Sequence, residues 1–165
     1  MKALKGIDIA VRAFEKLPDK KLYVAGNGPM MEEMQRYVRE HHMENVKFLG
    51  YLQKDEMSEK FYQAKAVIMT SQCYEAFAMT IAEAYSYGVP VIAGRVGNMD
   101  GMVQDGITGV KFTYNSAEDL ADKISAFDAM DLSVLKKNAR AFYAERLRPE
   151  DNYQKLIRIY EDISK

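Results

Sequence analysis

Cysteine is nearly missing from this chain: Cys73 stands alone. One thiol excludes an internal disulfide, and with only two histidines, His41 and His42, a His-rich metal site is excluded as well. No apolar run approaches the ~20 residues of a membrane-spanning helix. Met1-Lys2-Ala3-Leu4-Lys5 is not followed by the apolar stretch of a signal peptide. Nor is there an excess of either charge: 23 Lys and Arg face 24 Asp and Glu, a formal net charge of −1. Such a balance argues against a partner made of nucleic-acid phosphates or an anionic membrane, and leaves room only for a local basic patch. Low-complexity segments, repeats and Pro/Gly/Ser linkers are absent too. The expectation is one reduced, cytoplasmic domain.

What is present supports a core. The 165 residues, 18.8 kDa, are 48% hydrophobic and 28% charged, which is ordinary for a globular chain. By size scaling the unfolded chain exposes about 27,000 Å² and the folded one about 8,300 Å², so no covalent or metal staple is needed.

Short apolar runs alternate with segments of helical period. Ile7, Ala10, Val11, Phe14 and Leu17 share one helix face that ends near Pro18. Strands are expected at 21–25, 46–49, 66–70, 89–93 and, at an edge, 110–113. Helices are expected at 30–42, 54–64, 77–87, 117–127, 132–145 and 150–163, with one short helix at most in 94–109. Continuous apolar strands between helices indicate a Rossmann-like parallel sheet covered on both faces.

In such a sheet ligands bind beyond the carboxyl ends of the strands. That directs attention to Gly26-Asn27-Gly28-Pro29, to Gly50-Tyr51-Leu52, to residues 71–79 and to 94–101. The start of the first helix, Lys5-Gly6, joins them. A cation at a helix N-terminus opposes the macrodipole by a few tenths of a kcal/mol, so Lys5 is either a solvated surface group or the neighbour of an anion. Gly26-Asn27-Gly28 lacks the third glycine of a dinucleotide fingerprint, and no Gly-x4-Gly-Lys-Ser/Thr phosphate loop occurs. Arg95 follows a strand end, where a phosphate contact is the less favoured of its two readings and a surface position the other. Lys136-Lys137 and the pair Arg146 and Arg148 read as a solvated face.

Residues 71–84, Ser-Gln-Cys-Tyr-Glu75-Ala-Phe77-Ala-Met-Thr-Ile-Ala-Glu83-Ala, carry the most information. Glu75 lies between a strand end and a helix start, where a carboxylate can cap free N–H groups. Glu83 sits on a helix otherwise made of Phe77, Met79, Ile81, Ala82 and Ala84. A carboxylate buried there would need a partner.

With Gly88-Val89-Pro90-Val91 following, this frame resembles the Glu-x7-Glu signature of the C-terminal, donor-binding domain of retaining, family 4 glycosyltransferases of the two-Rossmann-domain (GT-B) type. Lys5-Gly6-Ile7-Asp8, Gly26-Asn27-Gly28-Pro29 and Val46-Lys47-Phe48-Leu49-Gly50 are similar to further motifs of that family, so the resemblance covers nearly all of residues 1–165. It implies a site for a nucleotide-diphosphate sugar, linked to UDP, GDP or ADP, with no further cofactor. Glu75 would be catalytic, facing the donor sugar. Lys5 would contact the diphosphate, Gly26, Asn27 and Gly28 the nucleotide, Gly50, Tyr51 and Leu52 the base edge, and Glu83 the ribose. Amides of Phe77, Ala78, Met79 and Thr80 would receive phosphate or sugar oxygens. The chain contains no Asp-x-Asp, which fits departure of the diphosphate without a metal.

Two positions depart from the family pattern: Ala78 replaces a glycine, and Gly97-Asn98-Met99-Asp100-Gly101 lacks a glutamate. The resemblance further implies that the family's first strand and its N-terminal acceptor domain lie outside this sequence. The expected activity of the whole is hexosyl transfer to a glycan, lipid or small-molecule acceptor, as in polysaccharide biosynthesis. The 165 residues alone would bind donor weakly without transferring sugar. Membrane association of the whole enzyme is left open, and helix residues Tyr153, Leu156 and Tyr160 are expected to be partly exposed. The competing class is a non-catalytic α/β binding module. A receiver-type version is disfavoured, because Ala25, Leu49, Thr70 and Ala93 end the strands where acidic residues would be required.

Overall fold

The computed structural model describes residues 5–74 and 77–163. Helix α1 (Ile7–Glu15) leads to β1 (Leu22–Ala25), α2 (Met31–Glu40), β2 (Val46–Gly50) and α3 (Lys54–Gln63). The chain continues through β3 (Val67–Met69), α4 (Met79–Ser86), β4 (Val91–Gly94), α5 (Gly97–Met102) and β5 (Gly109–Phe112). Helices α6 (Ala117–Phe127), α7 (Leu132–Arg146) and α8 (Pro149–Ile163) complete it. The elements fall where the apolar period places them, with α4 starting two residues later than expected.

All strand pairing is parallel, but the strands do not form one sheet. β1 pairs with β2, and separately β3, β4 and β5 lie in that order. The division falls between β1 and β3, and all three residues of β3 remain half-buried. The fold class is the expected one, Rossmann-like α/β with helix-covered parallel strands. Its single ladder, however, is replaced by two.

Side chains bridge what the ladders do not. One core cluster joins Ile9, Val11 and Phe14 of α1 with Leu22 of β1, Val46 of β2, Ile92 of β4, and Leu120, Ile124 and Phe127 of α6. The second gathers Ile81 and Tyr85 of α4, Val91 and Ala93 of β4, Met99 and Met102 around α5, and Ala139 of α7. Strand β4 is buried along its whole length and feeds both clusters, because successive side chains point to opposite faces. Gly109 permits that close packing: a Cβ there would stand 1.9 Å from the Val91 carbonyl oxygen.

Two polar devices fix the helices around the second sheet. The Tyr85 hydroxyl lies 2.7 Å from Thr108 Oγ1, and Gln104 N–H donates to the same threonine oxygen at 3.0 Å. Burial pushes the Tyr85 phenol up to about 12 despite the opposing effect of that hydrogen bond. Ser116 caps α6 by accepting from Asp119 N–H at 3.1 Å. By contrast α8 buries no residue, leaving Tyr153, Leu156, Ile159, Tyr160 and Ile163 exposed. The accessible surface of 10224 Å² exceeds the ~8,300 Å² expected for this mass. The open helix and the divided sheet account for the direction of that excess.

Candidate functional site

The start of α1 is fixed to the carboxyl end of β3 by backbone contacts. Gly6 adopts φ 63°, and a Cβ there would lie 2.1 Å from the Thr70 carbonyl oxygen, so only glycine allows the approach. Thr70 Oγ1, nearly buried, donates to the Lys5 carbonyl at 2.9 Å. Lys5 therefore stands where β3 opens into the loop that carries the glutamate signature. Thr70 had no mark in the sequence beyond ending a strand, and its role here is to position Lys5.

That loop is held from the far side as well. Gln72 Nε2 donates to Asn115 Oδ1 at 3.1 Å, and the Tyr114 hydroxyl donates to the Gln72 carbonyl at 3.4 Å. Asn115 has φ 60°, a left-handed conformation that asparagine tolerates better than most residues. Gly97, at the start of α5, faces Tyr74, whose ring carbon would stand 3.0 Å from a Cβ at that position. Residues 71–74 are thus clamped between the β5–α6 turn and α5. Glu75, the expected catalytic residue, lies outside the described residues, as does Ala76.

Helix α4 then follows Ala78, which makes no side-chain cap, and no acidic residue lies in its first turn. In that turn Met79 N–H donates to the Phe77 carbonyl at 3.1 Å and Ile81 N–H to the Ala78 carbonyl at 2.9 Å, and the helix N-terminus carries a partial positive charge. Ala78, at the cap, is fully buried and packs into the second core cluster. Phe77 and Met79 beside it are exposed, and Thr80 is half-buried.

Glu83 departs from expectation. The apolar composition of α4 suggested a buried carboxylate with a partner, yet Glu83 is exposed. No ion pair or hydrogen bond of its carboxylate occurs among the described residues. The reason is geometric: Ile81, Ala82, Ala84 and Tyr85 form the buried face, and Glu83 falls on the remaining side of the helix. Solvation there removes the penalty that the sequence seemed to impose.

A second group forms at the carboxyl ends of β1 and β2. Gly26 N–H donates to the Gly50 carbonyl at 2.6 Å, and Asn27 Oδ1 is 3.9 Å from where a Gly50 Cβ would stand. Both glycines have positive φ, 107° and 67°. Asn27, Gly28 and Tyr51 are exposed and Leu52 half-buried, giving an open shelf of polar backbone and one large ring. The structure thus gathers Gly26, Asn27, Gly50 and Tyr51 on one sheet, and Lys5 with the signature loop on the other.

Arg95 is engaged by neighbouring carboxylates. Its guanidinium donates to Asp105 at 2.9 Å and lies 3.9 Å from Asp100, which also pairs with Lys111 at 3.0 Å. Asp100, at the position where the family pattern has its glutamate loop, therefore joins an ion-pair cluster. Among the described residues, no three His, Cys, Asp or Glu gather where a metal ion could be held, and no helix is long and apolar enough to cross a membrane.

Comparison with known proteins places this geometry. Residues 1–142 match the family described as glycosyl transferases group 1. The chain is 29% identical over 141 residues to the sulfoquinovosyl transferase SQD2 of Arabidopsis thaliana, covering 82% of this chain and 27% of that protein. It is 28% identical over 164 residues to the N-acetyl-alpha-D-glucosaminyl L-malate synthase of Bacillus anthracis, covering 97% and 42%. Among solved structures, Anabaena Alr3699/HepE in complex with UDP superposes with a TM-score of 0.88 at 23% identity, over 98% of this chain and 46% of that one. The sucrose-phosphate synthase of Thermosynechococcus elongatus gives 0.86 at 26% identity, covering 98% and 43%. The chain spans less than half the length of each of these proteins.

Proposed function

The chain belongs to the glycosyl transferases group 1 family, and on that premise we propose that it is the C-terminal, nucleotide-sugar-binding half of a retaining, family 4 hexosyltransferase. The observation that carries the proposal is the anchoring of Lys5 to the mouth of the signature loop by Gly6 and Thr70. That loop ends in an α4 N-terminus with no acidic residue of its own in the first turn. A lysine and a helix N-terminus at one loop suit a diphosphate.

The roles follow from chemistry. In transfer, the bond between the anomeric carbon and the diphosphate breaks, and its electron pair leaves on a phosphate oxygen. Lys5 and the first-turn amides of α4 meet that growing charge, and electrostatic stabilisation of this kind is usually the largest catalytic contribution. Exposed Glu83, with no competing cation among the described residues, accepts from the ribose hydroxyls. The Gly26–Gly50 shelf, with Asn27, Gly28, Tyr51 and Leu52, takes the nucleotide base. Glu75 faces the sugar.

The acceptor is held by an N-terminal domain outside these residues, in the cytoplasm, and the 165 residues alone bind donor without turnover. The chain's share of under half of its relatives supports that division. The Anabaena neighbour was crystallised with UDP and with UDP-glucose, which favours a uridine donor. The relatives' names range from a malate conjugate to glycogen, so they favour no single acceptor.

Titrating the ¹⁵N-labelled chain with UDP, GDP and ADP tests the assignment. The expected result is selective movement of the amides of Lys5, Gly26, Gly50 and Glu83, largest with UDP. If none of the three nucleotides moves them, the donor site is misassigned. Sugar transfer by the 165 residues alone would overturn the division of labour.

A further inference from the structure

A hollow of about 480 Å³ lies at the amino ends of β3 and β4, lined by Tyr62, Ser86, Tyr87, Gly88, Lys136, Lys137 and Arg140. It is at the opposite end of these strands from the signature loop, because Tyr62 closes α3 just before β3 and Gly88 leads into β4. We propose that this hollow is a second site, for a small organic phosphate: a phosphate ester on a ring of about hexose size. The sequence alone marked Lys136-Lys137 as a solvated face; Lys137 is exposed and Lys136 half-buried, and both line this hollow.

Three observations support the assignment. The first is uncompensated charge. Lys136, Lys137 and Arg140 share one side of α7 at spacings of three and four, where like charges destabilise a helix. None of them makes an ion pair among the described residues. An anion between them relieves that repulsion.

The second is a rigid wall. Gly88, at φ 68°, brings the α4–β4 turn so close that a Cβ there would stand 3.3 Å from the Lys136 carbonyl oxygen. Arg140 also donates to the Ser86 carbonyl, covering the electronegative end of α4 that would otherwise repel an anion. A guanidinium carries five N–H groups, so donors remain for a ligand.

The third is aromatic surface. Tyr62 meets Tyr87 edge to face at 5.1 Å, and Tyr87 stacks on Phe61 at 5.1 Å with its hydroxyl 2.7 Å from Ser58 Oγ. Tyr87 is thereby immobilised, while Tyr62 is 72% exposed and offers a ring face. Cations supply the phosphate contacts and the tyrosine face supports the ring.

The test is a titration of the labelled chain with glucose 6-phosphate to millimolar concentration, with inorganic phosphate and glucose as separate arms. The sugar phosphate should move the amides of Tyr87, Gly88, Lys137 and Arg140. Inorganic phosphate should move the same amides more weakly, and glucose should leave them still. Lys137→Glu, at an exposed position, replaces a charge-assisted contact with a repelling carboxylate and should cost at least about tenfold in affinity. Tyr62→Ala should weaken binding of the sugar phosphate but not of phosphate. No movement, movement that survives Lys137→Glu, or equal affinity for phosphate and its ester would each overturn the proposal. Lys5, Gly26 and Gly50, which report on the donor site, lie away from these amides, so the two readings fail independently.

Discussion

Replacing Gly6 by alanine tests the link between fold and site most directly. Two costs arise. The left-handed backbone at φ 63° costs about 1–2 kcal/mol for a residue with a Cβ. The new methyl would also stand 2.1 Å from the Thr70 carbonyl oxygen, whereas even weakly hydrogen-bonded C···O pairs stay near 3.3 Å. Relief requires α1 to move by about an ångström, which breaks the Thr70–Lys5 hydrogen bond, worth about 1 kcal/mol. Strain among Ile9, Val11 and their partners adds about 1–3 kcal/mol. The expected loss is about 3–6 kcal/mol in all, or roughly 6–24 °C in melting temperature for a chain of this size. Gly106→Ala is the control: its φ of 76° imposes the same backbone penalty, but nothing lies within 4 Å of its Cβ. Its loss should stop at about 1–2 kcal/mol. Urea unfolding of both variants, followed by circular dichroism, gives the comparison. Equal losses would refute the reasoning, since the Thr70 contact would then contribute nothing.

Three further outcomes are expected. Because the Tyr85 phenol is held up to about 12 in the fold and titrates near 10 when unfolded, the folded state keeps its proton longer. Stability is therefore complete below pH ~10 and falls as pH rises toward ~12; in Tyr85→Phe that slope should flatten in pH-dependent urea melts, at a cost of about 1–2 kcal/mol at neutral pH from the lost partner of Thr108. Ser116→Ala should lower stability by about 1 kcal/mol through loss of the α6 cap, read from the same melts, and Ser116→Gly by less. Glu83→Gln should leave the melting curve unchanged, since the carboxylate is exposed, while weakening UDP binding by calorimetry; a destabilised variant would show that Glu83 has a structural role instead.

The positions of nearly every element were legible in the sequence because apolar period and breakers agree locally. Ile7 to Leu17 repeat on one face and stop at Pro18, and that is where α1 lies. Sheet connectivity was not legible, since which strands pair is decided by residues far apart in the chain. Glu83 shows a related limit. Composition marked α4 as apolar, but the burial of one residue depends on which side packs, and an eight-residue helix has room for an exposed side. The partners of Arg95 were not legible either: Asp100 and Asp105 come to it through the α5 turn. A glycine motif, moreover, says nothing about what glycine is avoiding. For Gly6 that is the Thr70 carbonyl, and for Gly88 the Lys136 carbonyl.

The break between β1 and β3 also shapes how the molecule opens. Ladder hydrogen bonds are what make a sheet exchange its amide hydrogens as one unit, and here none joins the two halves among the described residues. The β1–β2 pair, which carries the nucleotide shelf, is tied to the rest by side chains of the α1 and α6 cluster and by Asn45, whose amide donates to the Phe14 and Leu17 carbonyls at 2.9 Å. Its amides should therefore exchange through a lower-energy, sub-global opening than those of β4, which is buried on both faces. Half of the proposed donor site is thus mounted on the more yielding part of the fold, where a bound nucleotide would register first as protection from exchange.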